Sequence, residues 1–160
     1  IKAAILTISD KGSRGEREDK SSQVIREVIK EIDAETTLYS IVPDEKELII
    51  EKLQEMKKEV DLILTTGGTG VGPRDVTPEA TRSVIEKELP GYGEAMRMEG
   101  FKVTPRAIGS RAIAGIAGRC LIINLPGSPK AVEECLRVIL PVIPHTIELI
   151  KGEVGECARK

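Results

Sequence analysis

An apolar strand that runs straight into a glycine cluster, with a proline-marked helix start just beyond it, narrows the possible folds more than any other feature of this chain. Residues 61–66 read D-L-I-L-T-T, and Gly67-Gly68-Thr69-Gly70-Val71-Gly72 follows without a spacer. Thr77-Pro78 then offers a good N-cap and a proline suited to the first helical turn. Together these segments predict a strand, a tight turn and a helix, the opening half of a parallel βαβ unit. The same order recurs along the chain. Residues 2–9 (K-A-A-I-L-T-I-S) predict a buried strand, and after a polar loop over 10–19 the positions Val24, Ile25, Val28, Ile29 and Ile32 recur at helical spacing. Residues 36–42 predict a second strand, and Pro43-Asp44 opens a helix carrying Leu48, Ile49, Leu53 and Met56. Residues 119–125 predict a late strand, and Ser128-Pro129 repeats the cap-plus-proline start.

The expectation is an α/β fold: a mainly parallel sheet with helices on both faces, a Rossmann-like three-layer arrangement. The glycine-rich segment 90–118 interrupts the alternation and predicts a short helix over 94–101 with a small irregular or hairpin excursion. At 160 residues the chain is expected to form one domain, 1–160, around one core. In such sheets ligands bind beyond the carboxyl ends of the strands, and the glycine- and aspartate-bearing turns here all follow strands.

Composition removes several classes of function. Charge is balanced, 24 Lys+Arg against 26 Asp+Glu, and 40% of residues are hydrophobic, which argues against disorder. A nucleic-acid partner is not expected, because there is no basic excess and aromatic residues are only 2%, too few for a base-stacking platform. No stretch reaches the roughly 20 apolar residues of a membrane span. The N-terminal segment lacks the marks of a secretory signal, so a cytoplasmic location is expected. Cys120, Cys135 and Cys157 are widely spaced and, with the lone His145, form no metal-ligand pattern. One histidine also leaves no Ser-His-Asp or Cys-His nucleophile system.

Glycines at a strand end let backbone N–H groups approach an anion, and the following helix start adds its positive end. Two common phosphate loops are excluded. There is no G-x-x-x-x-G-K-[ST], and no G-x-G-x-x-G, because Gly70-x-Gly72 is followed three residues later by Asp75. Beside a phosphate site, Asp75 would repel the substrate unless it holds a bridging divalent cation; otherwise it is a capping residue near its helix start. Asp44 likewise reads two ways, as the N-cap of P-D-x-x-E or as a site carboxylate. Ser128 caps its helix, and Gly127 and Lys130 beside it suggest anion binding. The turn Ser9-Asp10-Lys11-Gly12-Ser13-Arg14 reads equally as a solvated loop or as part of a site. Phosphoryl-type transfer by positioning and a metal needs no protein nucleophile.

Three segments together resemble one family. Residues 65–81 (T-T-G-G-T-G-V-G-P-R-D-V-T-P-E-A-T), 110–118 (S-R-A-I-A-G-I-A-G) and 121–135 (L-I-I-N-L-P-G-S-P-K-A-V-E-E-C) are similar to the Mog/MoaB molybdopterin-binding family, which includes molybdopterin adenylyltransferases and the gephyrin G domain. Ser9-Asp10 and Glu18-Asp19-Lys20-Ser21 match its N-terminal pattern, with one departure at Ser22, where the pattern has glycine. The resemblance implies a homotrimer or hexamer in molybdenum cofactor synthesis that adenylylates molybdopterin with Mg-ATP, releasing pyrophosphate, and hands the product to a metal-inserting enzyme. A paralogue that binds the pterin without adenylylating it carries the same pattern. By the same resemblance, Gly67, Gly68, Thr69 and Gly70 would line the ATP phosphates, and Asp75 would be the essential metal-associated carboxylate. Asp44 would be the second acidic residue, nearer the pterin. Ser9, Asp10, Pro126, Gly127, Ser128 and Lys130 would complete the nucleotide pocket. Ser110 and Arg111 would hold the pterin and its phosphate.

Overall fold

Successive side chains of a strand point to opposite faces of its sheet, and the strands of this chain divide accordingly between two cores. The computed structural model describes residues 1–153, so Cys157 lies outside the described residues. In β1 (Lys2–Ile8), Ala3 and Ile5 belong to one core, whereas Ala4, Leu6 and Ile8 belong to the other. The same division separates Leu62 and Leu64 from Ile63 in β3 (Leu62–Thr66), and Leu121 and Ile123 from Ile122 in β6 (Cys120–Leu125). With both faces covered, the central strands have no polar face, which is why they read as continuous apolar runs.

The strand order is β2-β1-β3-β6-β5-β4. β2 (Glu35–Val42), β1, β3 and β6 run parallel, while β5 (Ala114–Ala117) and β4 (Lys87–Glu88) extend the sheet antiparallel. One face carries α2 (Lys20–Ile29), α5 (Pro90–Val103), α6 (Pro129–Ile139) and α7 (Ile143–Lys151). The other carries α3 (Lys46–Met56) and α4 (Thr77–Arg82). Because β2 and β3 flank β1 on opposite sides, the order reverses there and opens a crevice beyond the carboxyl ends of β1 and β3.

Several local expectations are corrected. The loop after β1 contains a one-turn helix, α1 (Asp10–Ser13), capped by Ser9, whose Oγ accepts from the Gly12 amide at 2.9 Å. The N-cap of α3 is Glu45, not Asp44, and that of α4 is Val76, not Thr77. The helix expected over 94–101 spans Pro90–Val103, and the excursion after it is a turn of 3-10 helix (Pro105–Gly109) leading into the β5–β6 hairpin. Ser128 does cap α6, accepting from the Ala131 amide at 3.2 Å.

One buried polar residue joins the elements that flank the glycine turn. Asn124 of β6 donates to Thr65 Oγ1 at 3.0 Å and Thr81 Oγ1 at 2.9 Å, and accepts from the Ile113 amide at 3.2 Å. Replacing it by alanine strands two buried hydroxyls and an amide. Chemical denaturation of Asn124→Ala should therefore show a loss of about 3 kcal/mol; a loss under about 1 kcal/mol would deny it this role.

Candidate active site

The glycine turn leaves β3 in a conformation that side chains disfavour. Gly67 and Gly68 have φ of 100° and 69°. A Cβ on Gly67 would overlap the Ile8 carbonyl oxygen, and one on Gly68 would overlap Thr77 Oγ1. Thr77, buried at the start of α4, fastens the turn: its hydroxyl donates to Gly67 O at 2.9 Å and its amide to Gly68 O at 3.1 Å. Among the described residues, the amides of Gly68, Thr69 and Gly70 have no protein acceptor.

Arg111 braces the outer part of the same loop. Its guanidinium donates to Gly70 O and Asp75 O, both at 2.8 Å, and pairs with Glu79. Its amide donates to Thr69 O at 2.8 Å. The planar fork of donors suits several carbonyls at once. Asp75 sits at the far end of the loop, where its Oδ2 accepts from the Gly72 amide at 2.9 Å.

A cavity of about 730 Å³ lies beyond the strand ends at the crevice. Of the residues singled out in the sequence, it brings together Ser9, Asp44, Gly67, Gly68, Asp75, Gly127 and Ser128. Thr69, Gly70, Pro126 and Ser110 line a second, mainly apolar cavity of about 630 Å³. The glycine run therefore stands as a partition, Gly67-Gly68 on one side and Thr69-Gly70 on the other. Asp10, Arg111 and Lys130 line neither cavity. Asp44 and Ser110, both expected near the pterin, thus stand in different cavities.

Asp44 is half-buried, and its carboxylate turns away from its own helix to accept from the Asp10 amide at 2.9 Å. Burial pushes this carboxyl above its ordinary value; the Asp10 amide opposes the rise, and the charges of Asp10 and Asp75 add to it. Four carboxylates line this polar cavity, Glu18, Asp19, Asp44 and Asp75, and the repulsion between Asp44 and Asp75 makes it a place where a cation lowers the energy. Among the described residues no cluster of three or more His, Cys, Asp or Glu side chains could hold a metal. Mg²⁺ commonly takes only one or two carboxylates and completes its shell with water and substrate phosphates, so Asp44 and Asp75 fit such an ion.

The cavity also contains Thr7, Arg17, Asp19, Lys20 and Ser21, which sequence reasoning gave no role. Asp19 caps α2 by accepting from the Ser22 amide at 3.1 Å. Burial tends to raise its carboxyl, but hydrogen bonds from Thr7, Tyr39 and Ser22 prevail and hold it below its ordinary value. Ser21 donates to Gly127 O at 2.7 Å and Thr66 to Pro126 O at 2.6 Å, fixing the loop between β6 and α6. The available signal was an N-cap aspartate between two cations, Arg17 and Lys20, just ahead of a helical repeat.

Comparison with known proteins agrees with this architecture. A model of the MoCF_biosynth family, described as the probable molybdopterin binding domain, matches residues 4–145. The molybdopterin adenylyltransferase of Helicobacter pylori strain J99 is 48% identical over 164 residues, covering 100% of this chain and 93% of its own length. That of Escherichia coli K12 is 36% identical over 176 residues, covering 99% and 89%. The crystal structure of the molybdopterin biosynthesis enzyme MoaB from Thermus thermophilus superposes with a TM-score of 0.89 at 50% identity, covering 94% of this chain and 96% of that one. Fold and sequence agree, and the chain belongs to the molybdopterin-binding domain family of molybdenum cofactor biosynthesis, whose members include molybdopterin adenylyltransferases matched over nearly their whole length.

Proposed function

We propose that this chain, acting as a single domain, transfers AMP from Mg-ATP to the phosphate of molybdopterin. In that step a phosphate oxygen of the pterin bonds to the α-phosphorus, the bond to the β-phosphoryl oxygen breaks, and pyrophosphate leaves. The observation that carries the reading is the shared cavity: Asp44, Asp75 and the Gly67-Gly68 backbone face one space at the crevice. An ionised phosphate nucleophile needs no general base, so the protein's task is positioning and charge.

Each group then has a distinct task. The Gly68 amide and the α6 start at Ser128 offer backbone donors to phosphate oxygens, with no Cβ obstructing the approach at Gly67 and Gly68. Arg17 and Lys20 at the cavity edge supply the positive charge that the glycine run lacks, and the pterin phosphate is assigned to them. Asp44 and Asp75 would hold Mg²⁺. The ion would neutralise charge on the phosphates. Arg111 serves the site by holding Gly70 and Asp75 in place.

For partners, the reading is self-association as a homotrimer and hand-over of the product to a metal-inserting enzyme. It is supported by exposed Val71 (82%) and Val103 (61%), which line the apolar cavity, and by exposed Met98 (69%) and Phe101 on α5 and Ile108 (67%) in the 3-10 turn after it. A second copy of the chain would bury this apolar surface. Among the described residues no helix is long and apolar enough to cross a membrane, which fits the proposed cytoplasmic setting.

The decisive test incubates the protein with ATP, Mg²⁺ and molybdopterin. Adenylyl-molybdopterin and an equal amount of pyrophosphate are expected. Pterin binding without that product would replace the reading with a non-catalytic pterin-binding role.

A further inference from the structure

Arg74 and Asp10 form a two-pronged pair that links the loop after β3 to the loop after β1. Arg74 Nε lies 3.1 Å from Asp10 Oδ2, and its terminal nitrogen 2.9 Å from Asp10 Oδ1. Asp10 is in turn locked to Asp44 by a reciprocal pair. The Asp10 amide donates to Asp44 Oδ2 at 2.9 Å, and the Asp44 amide donates to Asp10 Oδ1 at 3.0 Å. Three strand-end loops are thereby joined in series: the loop after β3 through Arg74, the loop after β1 through Asp10, and the loop after β2 through Asp44.

Neither Arg74 nor Asp10 lines the cavity, whereas their neighbours Asp75, Ser9 and Asp44 do. A pair outside the lining acts through the lining groups it is bonded to. The pair is also a weak source of global stability, because the Arg74 side chain is 60% exposed. Its geometric effect is larger. Asp75 follows Arg74 directly in a loop containing Gly70 and Gly72, and Arg111 holds that loop through the carbonyls of Gly70 and Asp75. Arg74 supplies the tie to the opposite, β1 side of the crevice.

We infer that the Arg74–Asp10 pair is a strap that sets the separation of the Asp44 and Asp75 carboxylates, making both residues positioning residues for the metal–nucleotide complex rather than ligands of it. This assigns Asp10 a different task from the nucleotide contact implied by family resemblance. The inference rests on the proposed seat of Mg²⁺ at Asp44 and Asp75.

Two conservative variants isolate the strap. Arg74→Gln removes the fork. Asp10→Asn keeps an oxygen acceptor for the Asp44 amide while weakening the tie to Arg74. ATP binding to wild type, each single variant and the double variant is measured by isothermal titration with and without Mg²⁺, alongside thermal melts. The wild type should bind ATP more tightly with Mg²⁺. Each variant should lose about tenfold of that metal-dependent affinity, and the double variant no more than either single. Metal-free ATP affinity and the melting temperature should stay near the wild-type values. Full retention of the Mg²⁺ gain in Arg74→Gln would overturn the strap, and so would losses that multiply in the double variant. An equal loss without Mg²⁺ would make Arg74 a phosphate ligand instead. A wild type indifferent to Mg²⁺ would remove the metal seat itself, and the strap with it.

Discussion

Asp75→Asn should lower adenylylation at least about 100-fold, equivalent to roughly 2.7 kcal/mol of barrier, while leaving the fold and pterin binding largely intact. The substitution is selective because of how Asp75 is held. Its Oδ2 accepts from the Gly72 amide, and asparagine retains an acceptor there, so the local turn survives. What disappears is the negative charge in a cavity shared with Asp44. A stabilising role at the helix start is a poor competitor, since the N-cap of α4 is Val76. Single-turnover rates at saturating ATP and Mg²⁺, with pterin binding measured separately, separate the possibilities. Near-normal turnover would deny Asp75 its metal role, and a melting-point loss without a rate loss would return it to structure.

Long-range order was legible in this sequence because it depends on patterning. Aliphatic runs such as Ile63-Leu64 and Ile122-Ile123, each followed by a cap-and-proline helix start, dictate buried parallel strands whatever the details of their loops. Boundaries were less legible where tertiary hydrogen bonds outrank local preference. Asp44 has the chemistry of an N-cap, yet its carboxylate is claimed by the Asp10 amide 34 residues away. Thr77 has the same chemistry, yet its hydroxyl bonds Gly67 O and it becomes the first helical residue. α5 extends beyond the helix its sequence predicts, because Gly91, Gly93 and Gly100 lower its propensity whereas burial of Tyr92 and Met96 holds it in place.

The candidate site followed the same division. That glycine and aspartate turns gather beyond the strand ends follows from topology alone, and seven of the singled-out residues do share a cavity, from Ser9 through Asp44 to Ser128. Which side of a turn each residue faces depends on three-dimensional placement that spacing does not encode. Ser110 thus faces the apolar cavity, and Lys130 neither. Arg111 illustrates the remaining difficulty. An arginine beside a phosphate loop invites assignment to the ligand, but here its guanidinium meets two backbone carbonyls and Glu79.

Gly68→Val should abolish measurable ATP binding, a weakening of at least about 100-fold, whereas Lys130→Ala should change it by less than about threefold. The valine meets two obstacles. Gly68 has φ of 69°, a conformation that β-branched residues resist, and its Cβ would overlap the Thr77 hydroxyl that fastens the turn. An ideal Cβ there would also stand 3.3 Å from Asp44 Oδ1, so the added methyls intrude on the carboxylate side of the cavity. Backbone strain of this kind costs on the order of 1–3 kcal/mol, so some loss of stability accompanies the loss of binding. Gly68→Ala is the gentler companion that keeps the test informative if the valine variant folds poorly. Gly91→Ala is the control, because a Cβ at Gly91 meets nothing within 4 Å. Lys130 tests the opposite idea, that side-chain charge rather than backbone amides holds the phosphates. Since it lines neither cavity, its removal should leave only a weak, salt-screened effect. Titration of ATP and Mg²⁺ into the four variants at two ionic strengths decides between the two. Normal binding by Gly68→Val together with lost binding by Lys130→Ala would reduce the glycine run to a turn and move the phosphate site elsewhere.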